Sequence, residues 1–426
     1  MCNVLFLALI SFCTILTIGS CFGKPYTENY TANRYSKCPI VSALKNLEEA
    51  NLPLLPSKPD TLNKTPSVPD LIYEIKIASI NDLSPIDFDY NEYVKRYITI
   101  YSVERREQVS KMLGLAELYF PMFDEILDKH QLPLELKYLA VLESALNPLA
   151  VSTSGAVGLW QFKINTGRMF DLKVNSYIDE RMDPIKSTEA ACLYLKYLYR
   201  IFNDWNLALA AYNAGPGAVR NAILRSEGET NFWKLRDHLP EAAQNYVPAF
   251  IAATYIMQNA KEHNIAPDTP HAQYMQTDTI IVHNPIAFSS IAQAIDIPED
   301  YIRFLNPTYR RGIVPKSSEG YAVRLPVSKI EDYIRNEDKI ARSVPQSITF
   351  HDIEANTGST ENRVKVTHKV LAGDYLHKIA VQYNCTVNDI RIWNPSVESD
   401  LNIGQPIIVW VDKQTYEILQ NTKAMP

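Results

Sequence analysis

The chain has 426 residues, 46% of them hydrophobic and 21% charged, which is an ordinary globular composition with room for two or three domains. A net charge of −6 argues against a nucleic-acid-binding protein, which would show a basic patch or stripe. The 25 tyrosines and 5 tryptophans are compatible with a sugar ligand without specifying one.

The chain opens on an apolar run from Val4 to Ile18, followed by Gly19, Ser20 and Cys21. The run is shorter than the roughly 20 residues a membrane helix needs and has the length of a signal-peptide core, although a basic start is missing. Residues 1–23 are therefore expected to direct export. Ile18-Gly19-Ser20-Cys21 resembles a bacterial lipoprotein cleavage box, which would make Cys21 a lipidated residue and an outer-membrane anchor; ordinary cleavage at the neighbouring small residues is the alternative. Residues 24–84, rich in Pro, Asn, Ser and Lys, are expected to form a tether or a loosely packed segment.

Residues 85–264 show helical patterns broken at Pro133, Pro148, Pro184 and Pro240. A helix is predicted from Ser187 or Thr188 as cap, with a stripe of Ala191, Leu195, Leu198 and Phe202. Two later segments share their internal spacing. Ile291-Ala292 stand to Asn306-Pro307 as Ile379-Ala380 stand to Asn394-Pro395, and β-rich stretches flank each. This predicts a repeated strand–helix–helix–strand module over 279–327 and 366–412, with a polar linker at 328–365. Outside the leader, Cys38, Cys192 and Cys385 are too far apart to suggest a disulfide framework, and Cys192 and Cys385 are expected to be packed. The eight histidines show no metal-ligand spacing, and no metal or cofactor is expected.

The helix predicted to open at Pro133 places Leu136, Leu139, Ala140 and Glu143 on one face, with Asn147 ending it before Pro148. Glu143 thus continues an apolar stripe near a helix C-terminus. Desolvation and the helix dipole both favour its neutral form, which a general acid needs. Pairing with a core arginine is an equally open reading of the spacing. "STSGAVGLWQF" and "AAYNAGPGAV" add two Gly-punctuated turns bearing polar tips.

"ESALNP", "GAVGLWQF", "TGR", "AAYNAGPGAV" and "NYVP" together resemble the ordered motifs of the soluble-type lytic transglycosylase domain, glycoside hydrolase family 23. The upstream helices are similar to the membrane-bound lytic murein transglycosylase D branch. The two repeats resemble LysM modules, the first degenerately. The resemblance covers about residues 87–411. It implies an α+β multidomain chain: a mostly α, lysozyme-like catalytic domain followed by two small βααβ LysM-type modules.

It further implies peptidoglycan glycan strands as partner and Glu143 as sole catalytic acid/base. That group would cleave the bond between N-acetylmuramic acid and N-acetylglucosamine to leave a 1,6-anhydro end. Ser144, Ser152, Gln161, Thr166, Tyr212, Asn213 and Tyr246 match positions that line the sugar groove or order the acid, while Trp160 is expected to pack behind it. Gly373 and Asp374 of the "AGDYL" turn, with Asn394 and Pro395, would contact glycan; Asn-Pro as a mere helix stop is the alternative. Two weak sites on flexible linkers would raise effective concentration at the wall.

The chain departs from the family at Lys163-Ile164, where Met-Pro is usual, and at Ala242-Ala243, where Glu-Thr is usual. A lysine close to Glu143 would weaken the acid unless its charge pointed to solvent or to a peptide carboxylate on the substrate. A wall-binding protein with a decayed catalytic domain, or a hydrolase of the goose-lysozyme kind, are the competing expectations.

Overall fold

The structure, a computed structural model, describes residues 39–50, 66–271, 276–342, 363–371, 374–383, 385–397 and 401–412, with residues 52, 54–56, 360 and 416 besides. The leader with Cys21, Cys38 and the turn residue Gly373 lie outside the described residues. Among the described residues no helix is long and apolar enough to cross a membrane.

The helical body runs α1 (Pro39–Glu49), β1 (Leu54–Leu55), α2 (Asp70–Asn81), α3 (Glu92–Thr99), α4 (Arg106–Lys129), α5 (Tyr138–Ser144), α6 (Ile164–Met169), α7 (Pro184–Phe202), α8 (Trp205–Ala214), α9 (Pro216–Arg225), α10 (Phe232–Leu235), α11 (Glu241–Asn259) and β2 (Thr269–Pro270). Its hub is α11, where Val247, Ala249, Phe250, Ile251, Ala252, Ala253, Tyr255 and Ile256 are all buried. A helix apolar on every side has to sit inside a domain, and α3, α5 and α8 pack around it. Helix starts follow capping chemistry. Asn91 Oδ1 accepts the Tyr93 and Val94 N–H groups at α3, and Asp204 accepts that of Leu207 at α8. The cap of α7 is Asp183, not Ser187 or Thr188, because Pro184 occupies the first helical position and Asp183 Oδ1 accepts from Ile185 and Lys186. Ser187 and Thr188 are buried one turn further in.

The stretch expected to be a tether is partly core. In α1, Ile40, Ala43, Leu44 and Leu47 are buried against α5, α4 and α11. Their spacing is that of a helical stripe, which the Pro- and Asn-rich surroundings obscured. Farther on, β1 pairs antiparallel with β2 at the end of the body.

The first module consists of β3 (Thr277–Val282), β4 (Ile286–Ala287), α12 (Phe288–Ile295), α13 (Glu299–Leu305), β5 (Ile313–Val314) and β6 (Tyr321–Pro326). Strand β3 pairs antiparallel with β6, from Thr277↔Pro326 to Val282↔Tyr321. The expected linker does not begin at 328, because α14 (Val327–Arg342) folds back and buries Tyr333 and Ile340 in the module's core. The second module repeats the plan with β7 (Arg363–Lys369), α15 (Leu376–Tyr383), α16 (Val387–Trp393) and β8 (Pro406–Asp412), β7 and β8 being antiparallel over their whole length. One device recurs. Asn306 donates to Ile302 O and Arg324 O at 2.8 and 2.7 Å and accepts from Arg324 N–H at 2.7 Å. Asn394 does the same with Ile390 O, Ile408 O and Ile408 N–H at 2.8, 2.7 and 2.8 Å. Each asparagine ties the second helix of its module to the returning strand.

The first module is not held by a flexible linker alone. Asp179 N–H donates to Thr308 O and Arg310 N–H to Tyr177 O, both at 2.9 Å, and Ile178 enters the module's core.

Replacing Leu47 by Ala is expected to cost about 2–5 kcal/mol of stability, the range for a fully buried leucine. Denaturant unfolding checks this, and a change near zero would return α1 to the role of tether.

Candidate active site

Glu143 is the penultimate residue of α5. The preceding turn, Leu134–Lys137, is a tighter 3-10 helix, so α5 proper starts later than Pro133. It also ends before Asn147: Ala145 and Leu146 both adopt left-handed backbone, at φ 52° and 62°. Non-glycine residues pay roughly 1–2 kcal/mol each for that conformation. Both side chains are fully buried, which offsets the strain and turns the chain sharply straight after the acid. Asn147 serves the next turn instead, accepting the Leu149 N–H at 3.0 Å.

Ser144 is buried, and its hydroxyl lies 2.9 Å from both Ala140 O and Leu159 O. It therefore fastens α5 to the 150–162 loop. Within that loop, Ser152 Oγ accepts the Ala156 N–H at 2.9 Å and lies 3.1 Å from Ser154 Oγ, so it shapes the turn. Gly158 has φ +80°, and a Cβ there would fall 2.2 Å from Arg181 O, so only glycine fits. Gln161, at φ 49°, donates through Nε2 to Ala150 O and Gly158 O at 3.2 and 2.9 Å. Trp160 is fully buried behind this loop, its indole N–H donating to Thr188 Oγ1 at 2.8 Å, as expected of a packing residue.

Two supports were not singled out from the sequence. Arg181 pairs with Asp179 at 2.7 Å inside the protein and donates to Phe162 O and Gly155 O at 3.0 and 3.2 Å, so one buried ion pair holds the middle and the far end of the loop. Only an Asp-x-Arg spacing marked it. Tyr194 packs at a tilt against Tyr212, ring centres 5.3 Å apart, and backs that ring; its place on α7 was legible, its partner was not.

The acid itself is partly accessible to solvent yet densely surrounded. Tyr246, fully buried on α11, donates its hydroxyl to Glu143 Oε1. Burial pushes the Glu143 carboxyl up to about 7, and the Tyr246 hydrogen bond pulls in the opposite direction. Among the described residues no arginine contributes to that balance. Tyr212 donates instead to Trp160 O at 2.8 Å; burial first, and then the nearby Glu143 charge, holds its phenol well above the usual range. Asn213, beside it near the end of α8, and Thr166, on α6, are half-buried. Lys163 is exposed ahead of α6 and is not among the groups that move the Glu143 carboxyl. Ala243 packs in the core, where the family's polar residue would stand.

In the second module, Asp374 accepts from His368 Nε2 and Leu371 N–H at 2.8 and 2.7 Å. Asp374 and Asn394 are thus engaged internally, and Pro395 is exposed. Tyr375 of the same turn lies against the helical body, with the Arg200 guanidinium 4.9 Å from its ring centre. Cys192 and Cys385 are buried free thiols, pushed up to about 12 by that burial. Among the described residues no cluster of His, Cys, Asp or Glu could hold a metal ion.

A helical body holding a half-buried carboxyl against a buried tyrosine, followed by two small strand–helix–helix–strand modules, defines a class, and the comparisons agree with it. The transglycosylase SLT domain family matches residues 121–235, the LysM-like domain of lytic transglycosylase MltD matches 276–342, and the LysM domain matches 368–410. The chain therefore carries an SLT domain, an MltD-type LysM-like domain and a LysM domain, in that order. It is homologous to the membrane-bound lytic murein transglycosylase D of Escherichia coli, with 28% identity over 315 residues, 73% of this chain and 67% of that protein. The soluble lytic murein transglycosylase of Escherichia coli is 33% identical over 120 residues, covering 27% of this chain and 19% of that protein. The crystal structure of the 70 kDa soluble lytic transglycosylase from Escherichia coli matches at 30% identity, covering 32% of this chain and 24% of that one with a TM-score of 0.29.

Removing the Tyr246 hydroxyl removes the one interaction that favours the charged acid. Tyr246→Phe should therefore move the Glu143 carboxyl above about 7. Titration of that carboxyl by difference infrared or carbon NMR reads the shift, and a downward move would contradict the contact.

Proposed function

We propose that this chain is an exported lytic transglycosylase that cleaves the bond between N-acetylmuramic acid and N-acetylglucosamine in peptidoglycan without water, leaving 1,6-anhydro-muramic ends. The observation that carries this reading is a single carboxyl held near neutrality by burial, with no second carboxylate acting on it among the described residues. Ordinary glycosidases use two carboxylates, the second as nucleophile or as base for water. With one, the acid has to serve twice.

Neutral Glu143 gives its proton to the glycosidic oxygen as the bond from muramic C1 to that oxygen breaks. The resulting carboxylate then takes the proton of the C6 hydroxyl of the same sugar as O6 bonds to C1, which restores the starting acid. The C6 hydroxyl is part of the substrate, so its effective concentration far exceeds that of a free nucleophile. Tyr246 steadies the carboxylate between the two steps, and its hydrogen bond matters most while the charge exists. Gln161, Tyr212, Asn213 and Thr166 are the candidates for holding the sugar, with Ser144 and Ser152 shaping the site behind them. Lys163, exposed and without influence on the acid, gives no support to a decayed catalytic domain.

Binding to the wall would fall mainly to the second module, because Thr308 and Arg310, which follow Asn306-Pro307 in the first, are committed to the helical body. The leader and the box ending at Cys21 support export and attachment to the outer membrane by lipid.

Product analysis tests the reading. Mass spectrometry of purified murein after digestion should show anhydro-muropeptides, and Glu143→Gln should abolish them while sparing wall binding. Reducing muramic ends would instead make the chain a hydrolase. Cleavage should decline as pH rises through about 7, because the acid is then lost. Lys163→Met should leave that pH profile unchanged; a displaced profile would place the lysine charge at the acid.

A further inference from the structure

A cleft of about 910 Å³ opens where α6 and the 171–176 segment meet both modules. Its lining carries five cations, Arg168, Lys173, Arg310, Arg363 and Arg391, against two carboxylates, Asp171 and Asp389. That bias is opposite in sign to the chain's net charge of −6. Both carboxylates already have backbone donors. Asp389 Oδ2 accepts the Thr386 N–H at 3.0 Å in the cap of α16, and Asp171 Oδ1 accepts the Asn388 N–H at 3.2 Å across the gap between body and module. Two of the cations are anchored by a backbone carbonyl, Arg310 on Asn175 O at 3.3 Å and Arg363 on Trp410 O at 3.4 Å. Arg168, Lys173 and Arg391 are exposed, and the Arg391 charge acts on Asp171, opposing the larger upward push of burial on that carboxyl.

Like charges gathered in one concavity repel each other and raise the local concentration of anions. Here the cations are spread over separate elements, with Leu172, Val174 and Ile164 between them. A lining of dispersed cations, amides and apolar patches suits a short peptide bearing several free carboxylates better than a run of bare phosphates. The cleft also borders the candidate site: Ile164 and Arg168 line it from α6, the helix that carries Thr166.

We infer that this cleft binds the free carboxylates of the peptide stems carried by the glycan, so that body and second module grip a stem together while its sugar chain lies in the groove. The identity of the polymer rests on the function proposed above; the anionic peptide chemistry rests on the cleft. The role adds affinity and stem selectivity, and none of its residues touches the reacting atoms.

The test uses the full chain and a triple variant, Arg168→Glu with Lys173→Glu and Arg391→Glu. Calorimetric titration with the free stem peptide, released from murein by an amidase, should show saturable binding to the parent chain. The triple variant should weaken it at least about tenfold, and added salt should weaken the parent. On soluble glycan strands KM should rise when stems are present and stay unchanged when they have been stripped, with kcat unaltered in both. If the triple variant loses its circular-dichroism signature, the corresponding Gln substitutions replace it. Absent peptide binding, binding indifferent to the substitutions, equal losses on both strands, or tighter binding of inorganic polyphosphate than of peptide would each overturn the inference. If the parent chain cuts no murein at all, the proposed function fails, and the peptide titration still decides the cleft.

Discussion

The hydrogen bond from Tyr246 to Glu143 is the contact on which the site depends. It joins the penultimate residue of a two-turn helix to the hub of the domain, and it exists only because α5 is pressed against α11. Burial alone would drive the carboxyl neutral and keep it so; the hydroxyl makes the charged state tolerable, as the proposed second proton transfer requires. A general acid that must return as a base works best when neither form is much favoured near neutrality. The opposition of desolvation and one hydrogen bond delivers that balance without a cation or a second carboxylate.

The surroundings can be read as devices that keep this pair in place. Two buried residues in left-handed conformation stop α5 immediately after the acid, and Ser144 ties the stopped end to Leu159. The loop beyond is held by the Asp179–Arg181 pair, whose guanidinium reaches carbonyls at its middle and its far end. A buried ion pair of this kind is weak evidence for net stability, since desolvation opposes the attraction. Its value here is geometric: it fixes the turn that presents Gln161 and closes over Trp160.

Much of this was legible in the sequence, and the residues show where legibility stopped. Glu143 stood out because an ionisable group interrupted an apolar helical stripe, and burial is what periodicity reports. The motif resemblance brought Tyr246 into view from a hundred residues away, which no local pattern could have done. Helix ends were harder. Asn147-Pro148 looked like a terminator, yet tertiary packing made Ala145 and Leu146 pay for an earlier stop. The α1 stripe was present in the sequence but masked by composition. The internal bonds of Asp374 and Asn394 were not legible, because a polar residue at a conspicuous turn looks the same in sequence whether it faces a ligand or its own backbone.

The modules change the way attachment to a wall should be understood. Binding domains on flexible tethers raise effective concentration by a factor that linker length sets. Here backbone hydrogen bonds from Asp179 and Arg310 hold the first module against the body, and the contacts of Asn388 and Tyr375 bring the second to α6 and α7. A module held in this way can gain from avidity only where its own surface and the catalytic groove meet one strand in a compatible geometry. Rigid coupling therefore exchanges reach for orientation: it limits which parts of a polymer can be engaged together, and it makes the spacing between groove and module a determinant of where along a strand the acid is delivered.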